Sequence, residues 1–399
     1  MTAALALALT LLVSGAASAE DGDEADADGL ADALSGGEAE VTFRYRFELV
    51  ERDDFDQNAE ASTLRTTLSY RTRPWAGFGL FLEAENVVDL GTEERYDNGA
   101  NGVTDRPVVA EAGVTEVNQA YLRWDDGTTR LTAGREEFNW ADQRYVGAVG
   151  WRQNHQTFDA FSAINTSLEN VDFTYLFVSN VNLVSGGNQP MSSHLGSAKI
   201  ELPLGAVDLY GLYLYYDRVP TQSTSTFGLE WAGSREADGG VKLLWEAEYA
   251  RQRDAAENPD TVEADYVHLM GGVSPGELLT AKAGWEVLSG SPEDGQFRTP
   301  LATLHKWNGW ADLFLATPED GLEDLYLGGG GRWGELGWAA IFHDFRAESA
   351  STPYGTEIDA QIDYRLPWGQ LLGLKGAFYR ADELAVDVSK VWFYTTYRF

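Results

Sequence analysis

Apolar and polar residues alternate with a period of two along most of this chain, which is the pattern of β-strands with one face apolar. Val41, Phe43, Tyr45, Phe47 and Leu49 share one face, with Thr42, Arg44, Arg46 and Glu48 on the other. Leu64, Leu68 and Tyr70 oppose Arg65, Thr67, Ser69 and Arg71, and Val171, Phe173, Tyr175 and Phe177 alternate with Asp172 and Thr174. The pattern recurs at Val241–Tyr249 and Ile358–Leu366, and in the last strand, where Val391, Phe393, Tyr397 and Phe399 oppose Lys390, Tyr394 and Arg398. Alternation alone also fits a soluble sandwich with one wet face. Segments of roughly 10 to 13 residues, longer than most soluble strands, fit tilted membrane crossings instead. No helical domain interrupts them, and their polar faces are rich in both signs of charge, as in a hydrated lumen.

The connections alternate between short and long. Short ones carry turn chemistry, with Gly supplying positive φ and Pro presetting the corner: Pro74–Gly77, Asp125–Gly127, Asn165–Glu169, Pro203–Gly205, Ser234–Gly239, Ser274–Gly276, Trp333–Glu335 and Pro367–Gly369. Long ones fall at 52–60, 88–114, 138–154, 180–191, 218–221, 252–260, 289–320, 347–354 and 381–385. This predicts an all-β fold, a transmembrane antiparallel β-barrel with short periplasmic turns and long extracellular loops. A strand at Trp310–Thr317 would set two long links in succession and make the strand number odd. That segment is therefore assigned to the long outer loop, leaving about 18 strands.

The ends refine the picture. Ala3–Val13 is small and apolar apart from Thr10, and Ala17-Ser18-Ala19 precedes Glu20, so residues 1–19 read as a secretory signal peptide, although Met1-Thr2 lacks the usual basic start. Residues 20–40 hold nine acids and no base, and read as a disordered acidic segment. The barrel is expected over 41–399, in the outer membrane of a Gram-negative cell. The terminal Phe399 after an alternating strand resembles the signature that barrel-assembly machinery reads. No further stretch has the roughly 18 apolar residues of a membrane helix.

Composition excludes several chemistries. No cysteine is present, so disulfide scaffolds, thiol catalysis and cysteine-bound zinc are out. The net charge of −34 argues against nucleic acid. His155, His194, His268, His305 and His343 are scattered, no His-x-x-x-His pair occurs, and Ser192-Ser193-His194 is no triad. Gly328–Gly331 lacks the Lys-Ser/Thr of a phosphate loop and reads as a close backbone approach within a strand. Asp97-Asn98-Gly99 lacks a full calcium ligand set. No catalytic residue, cofactor or metal is expected; an outer-membrane barrel enzyme is the remote alternative.

Function is then expected in the lumen. Inward bases are Arg44, Arg46, Arg65, Arg71, Arg123, Lys242, Arg365, Lys375, Lys390 and Arg398. Inward acids are Glu48, Glu83, Glu85, Glu246, Glu248, Glu357, Asp359 and Asp363. Basic rings select anions, and a constriction with both signs creates a transverse field. Each charge can equally serve as an ion pair bracing the wall.

Two longer runs carry a resemblance. Gly134-Arg135-Glu136-Glu137, then Trp140–Gly147, Gly150–Asn154 and Thr157–Ala160, resemble the alginate export family of outer-membrane proteins, as do Leu304–Asp312 and Pro318–Tyr326. The resemblance spans about residues 40–399. It implies a monomeric barrel of about 18 strands whose arginine-lined lumen passes anionic alginate outward. Arg135, Arg144 and Arg152 fall within the motif, with Asp142 and Asp159 nearby. An arginine fork binds a carboxylate bidentately, so a file of such forks suits a polyuronate. Alternatively, 135–159 is an inward-folded loop whose ion pairs hold its shape. The strongly acidic balance fits a polyanion path poorly. Passive export of an anionic polysaccharide is thus the first expectation, and a general or substrate-selective porin for small solutes the alternative.

Overall fold

The computed structural model describes residues 26–237 and 239–399; the expected signal peptide lies outside them. Eighteen antiparallel strands form a single closed sheet. In chain order they are β1 Glu38–Arg52, β2 Ala59–Arg71, β3 Phe78–Asp89, β4 Val114–Asp125, β5 Thr129–Glu136 and β6 Thr157–Leu168. Next come β7 Val171–Asn182, β8 Asn188–Leu202, β9 Gly205–Leu214, β10 Thr224–Glu236, β11 Lys242–Asp254 and β12 Glu263–Gly276. The ring ends with β13 Leu279–Leu288, β14 Leu322–Trp333, β15 Leu336–Arg346, β16 Pro353–Arg365, β17 Leu371–Ala381 and β18 Val388–Arg398. Each strand pairs with its chain neighbours, and β1 closes on β18 from Thr42↔Arg398 to Arg52↔Val388. Closure satisfies every ladder hydrogen bond without leaving an edge.

Burial is inverted relative to a soluble protein. On β1, Arg44, Arg46 and Glu48 are buried while Phe43 is exposed. Outward positions elsewhere carry Phe227, Leu327, Ile358, Leu374 and Phe393, all exposed. Apolar exteriors around polar interiors place lipid outside and water or protein inside.

Trp310–Thr317 lies in the long link between β13 and β14, as expected. That link also carries a two-residue hairpin pairing Gly290 with Gln296. The acidic segment departs from expectation. Among its described residues, Leu30–Ser35 forms a short helix and β1 begins at Glu38 rather than 41. Apolar contacts and one ion pair hold the helix. Ala33 is buried, Arg73 Nη1 lies 3.1 Å from Asp32, and Ala27 N donates to the Pro74 carbonyl at 2.8 Å.

Glycine shapes the inner wall at three places. Gly228 faces Tyr210, Gly284 faces Tyr326 and Gly373 faces Tyr394 as register partners. A Cβ at any of these glycines would run into the tyrosine ring. With no Cβ in the way, each ring lies flat across the glycine strand and its hydroxyl reaches the strand beyond. Tyr210 donates to Glu248 on β11, Tyr326 meets His268 on β12 at 2.9 Å, and Tyr394 donates to Asp363 on β16. Gly373→Ala is expected to cost about 1–3 kcal/mol, the usual range for overpacking. The urea midpoint of the detergent-folded barrel checks this, with Gly79→Ala, where nothing lies within 4 Å of a new Cβ, as the control.

Candidate functional site

Two long loops, 137–156 and 297–321, enter the lumen and meet there. Val146 bridges Leu301, Thr303 Oγ1 donates to Gln143 Oε1 at 2.7 Å, and Arg144 Nη2 donates to Asn308 at 3.3 Å. The first loop is pinned to β1. Arg44 donates to the carbonyls of Gly150 and Trp151 at 3.0 and 2.9 Å, and Arg46 to Trp151 at 2.6 Å. The second is pinned to β16, where Asp359 accepts from Trp310 N at 3.1 Å and Glu357 from Ala311 N at 2.7 Å. Loop 90–113 adds Glu111, which forms an ion pair with Arg46 at 2.9 Å and accepts from Gln153 N at 2.9 Å.

Trp151 is the centre of this assembly. The Arg46 guanidinium lies 4.2 Å from its ring and Lys375 Nζ 4.2 Å from it, while His305 stacks at 4.9 Å. Lys375 Nζ also sits 3.6 Å from the Trp310 ring and bonds His305 Nε2 at 2.8 Å. A lysine donating to Nε2 fixes His305 as the tautomer whose Nδ1–H donates to Asp312, 2.6 Å away. Asp312 in turn binds Arg152 and Lys390, each at 2.9 Å. Burial holds the His305 imidazole well below its ordinary range, with Lys375 and Arg152 adding to this. Burial alone would raise the Asp312 carboxyl, but His305, Lys390 and Arg152 outweigh it and hold it well below the usual carboxylate range.

Several candidate residues belong to this network. Arg44, Arg46, Arg144, Arg152 and Lys375 are all buried and engaged in bracing the loops. Arg144 pairs with Glu286 at 3.1 Å and lies over Tyr266 and Trp307. Asp142 accepts from Arg144 N at 3.0 Å, and Lys306 bonds its carbonyl. Within the expected inward loop 135–159, residues 142–152 make these bracing contacts.

Arg135 and Asp159 correct an expectation. They pair at 2.7 Å, but on the outer face of the barrel near the long-loop rim. Glu136 turns inward to Ser162 (2.7 Å), so alternation sends Arg135 outward, beside the exposed Val117 and Phe161. Arg65, Arg71, Arg123 and Arg365 do face inward by register. Arg65 lies 3.6 Å from Glu85 and bonds His155, which the opposite ring nitrogen ties to Glu137 at 2.6 Å. Arg71 stacks over Phe81 at 4.8 Å, Arg123 over Tyr121 at 5.1 Å, and Arg365 bonds Gly369 O at the turn rim.

The opposite wall is acidic. Register partners run Asp208–Glu230–Glu248–His268–Glu286–Asp324 across six successive strands, β9 to β14, all inward. In a ring of eighteen strands, β11 lies directly across from β2. Arginines on β1–β4 therefore face carboxylates on β9–β13. Asp208, Glu230, Glu286 and Asp324 were not singled out from sequence. Alternation would place Glu230 inward beside the outward Leu229 and Trp231, but the row exists only through strand register.

No protein-family model matches the chain, and no curated protein matches it. Solved structures do share the fold. Pseudomonas aeruginosa OccK9 (OpdG) superposes with a TM-score of 0.70 at 12% identity, covering 92% of this chain and 99% of that one. Acinetobacter baumannii OccAB2 gives 0.69 at 15% identity, over 92% and 98%. Pseudomonas aeruginosa OpdK with vanillate gives 0.67 at 13% identity, over 91% and 98%.

The His305–Asp312 cluster predicts a pH response. A histidine whose folded pKa is depressed takes up its proton more readily when unfolded, so stability falls as pH drops below its ordinary 6.5. Asp312 adds stability above its ordinary 3.8, lost only as pH falls through its still lower folded value. Melting of the folded barrel at pH 8 and pH 5.5 is expected to differ, and His305→Gln to shrink that difference. An unchanged pH dependence in that variant counts against the assignment. Asp312→Ala, which strands Arg152 and Lys390, is expected to cost about 3–5 kcal/mol in the same assay.

Proposed function

We propose that this protein is an outer-membrane channel selective for small charged or polar solutes. The observation that carries the reading is the separation of charge across the lumen. Arg65, Arg71 and Arg123, with Glu83 and Glu85 among them, stand on one wall, and the carboxylates Asp208, Glu230 and Glu246 on the wall opposite, beside two loops that narrow the passage between them. Facing rows of opposite sign create a transverse field, which orients dipolar solutes and rejects those that cannot match it. The fold shared with the Occ structures supports this reading. Vanillate, present with OpdK, is a small aromatic carboxylate and a reasonable first solute.

Export of an anionic polysaccharide such as alginate ranks second. The inward arginines of β2–β4 favour it, since they would attract uronates. Against it, Arg144 and Arg152 are buried in loop braces and Arg135 lies outside the barrel. A polymer would have to displace both loops. In either case lipid covers the apolar exterior, the chain acts as a monomer, and the exposed Phe399 is the end offered to barrel-assembly machinery.

Planar-bilayer recordings test both readings. Arg71→Glu with Arg123→Glu is expected to shift the reversal potential toward cation selectivity, and Glu230→Gln toward anion selectivity. Arg135→Ala is expected to leave it unchanged. Identical reversal potentials in all variants would sink the transverse-field reading. Block by oligomannuronate at lower concentration than by vanillate would promote polysaccharide export over it.

A further inference from the structure

The acidic wall contains one set of metal-type donors. Glu246 and Glu248 on β11 and His268 on β12 all face inward, and one ligand atom from each lies within 4.8 Å of the other two. We propose that Glu246, Glu248 and His268 form a binding site for a divalent transition-metal ion, of which zinc is the representative. The proposal goes beyond the channel reading and stands whether or not the barrel conducts.

Two carboxylates and an imidazole suit zinc and its first-row neighbours, whereas calcium and magnesium favour oxygen alone. Donors around a tetrahedral ion sit about 3.4 Å apart at zinc–ligand distances of about 2.1 Å. Modest rotation of the glutamate side chains closes the remaining gap.

The surroundings orient the donors as a second layer around a metal does. His268 Nε2 bonds the Tyr326 hydroxyl at 2.9 Å, which aims Nδ1 at the glutamates. Tyr210 donates to one oxygen of Glu248, and Tyr145, from the inward loop 137–156, meets the Tyr210 hydroxyl at 2.7 Å. Glu248 keeps its second oxygen for a ligand.

Carboxylates sit side by side on this wall. Glu230 is the register partner of both Glu248 and Asp208. Asp208 is 8% exposed, and its Oδ1 is buried with no hydrogen-bond partner. Like charges directly opposite on adjacent strands repel. A dication among them removes that repulsion. Of the cations on this side, Lys282 faces inward from β13, Lys306 is engaged with the Asp142 carbonyl and Arg144 with Glu286.

His268 Nδ1 and Glu246 Oε1 lie 2.7 Å apart, a hydrogen bond that the ion would replace. A metal-bound imidazole is the neutral tautomer, here with Nε2–H donating to Tyr326 and the Nδ1 lone pair on the metal, so any proton on Nδ1 leaves to solvent and no electrons are transferred.

Titration calorimetry of the full-length, detergent-folded protein with zinc chloride is the test. One saturable site is expected. His268→Gln and Glu248→Gln should each weaken it at least tenfold, while His194→Gln, on the outer face beside Tyr175, should not. Far-UV dichroism and heat-modifiable gel migration confirm that each variant folds. Cobalt gives a readout on the unaltered protein that needs no variant: visible d–d bands that zinc abolishes. Absence of both the zinc heat and the cobalt bands overturns the proposal. So does undiminished zinc binding in folded His268→Gln. Calcium binding as tightly as zinc overturns the transition-metal class.

Discussion

Hydrocarbon offers a peptide group nothing to hydrogen-bond with, and every feature of this chain follows from meeting that condition. An unpaired N–H or C=O in lipid costs several kcal/mol, so the sheet must close on itself. Closure demands that β1 find β18, the first strand pairing with the last. Once closed, the wall has two solvents, and alternation along each strand sorts side chains between them. Phe43 and Leu327 go to lipid while Arg46 and Glu248 go inward. The links at the turn side stay short, and the long ones on the other side are free to carry specialised structure.

Two of those long loops are spent on narrowing the interior, and holding them there takes an unusual concentration of charge. Arg46, Arg152, Lys375 and Lys390 gather around Trp151 and His305, against Glu48, Glu111 and Asp312. Desolvating so many ions is costly unless each is paired and hydrogen-bonded. The aromatic faces of Trp151 and Trp310 help by accepting Lys375 where no carboxylate is in contact. The loops are thus set by a polar core inside the barrel, not by an apolar one.

Much of the architecture was legible in the chain. Period-two alternation and the parity of turns and loops led to the strand count, and placed Trp310–Thr317 in a loop, because both depend on local spacing alone. What lies inside was less so. Arg144 and Arg152 carry a bidentate chemistry that suits either a solute or a brace, and only the positions of Glu286 and Asp312, far along the chain, decide between them. Arg135 was misplaced because it was read as part of a motif rather than by its parity with Glu136. The row from Asp208 to Asp324 depends on register between strands, which no local pattern encodes. The ordered helix at 30–35 escaped because its acidic surroundings masked the small apolar contact made by Ala33.

The three tyrosines laid across glycines bear on how the barrel comes to be assembled. Each ties together three consecutive strands: β9 to β11, β12 to β14 and β16 to β18. A strand that slides by two residues keeps its inside and outside faces, so sorting between lipid and lumen does not penalise the error. It does move the glycine from beneath the ring and a Cβ into its place. Each tile therefore acts as a proofreading device for the sliding error that alternation overlooks, with one checkpoint in each of three sectors of the wall. A barrel whose width follows from the stagger of its strands has its bore gauged there as it closes.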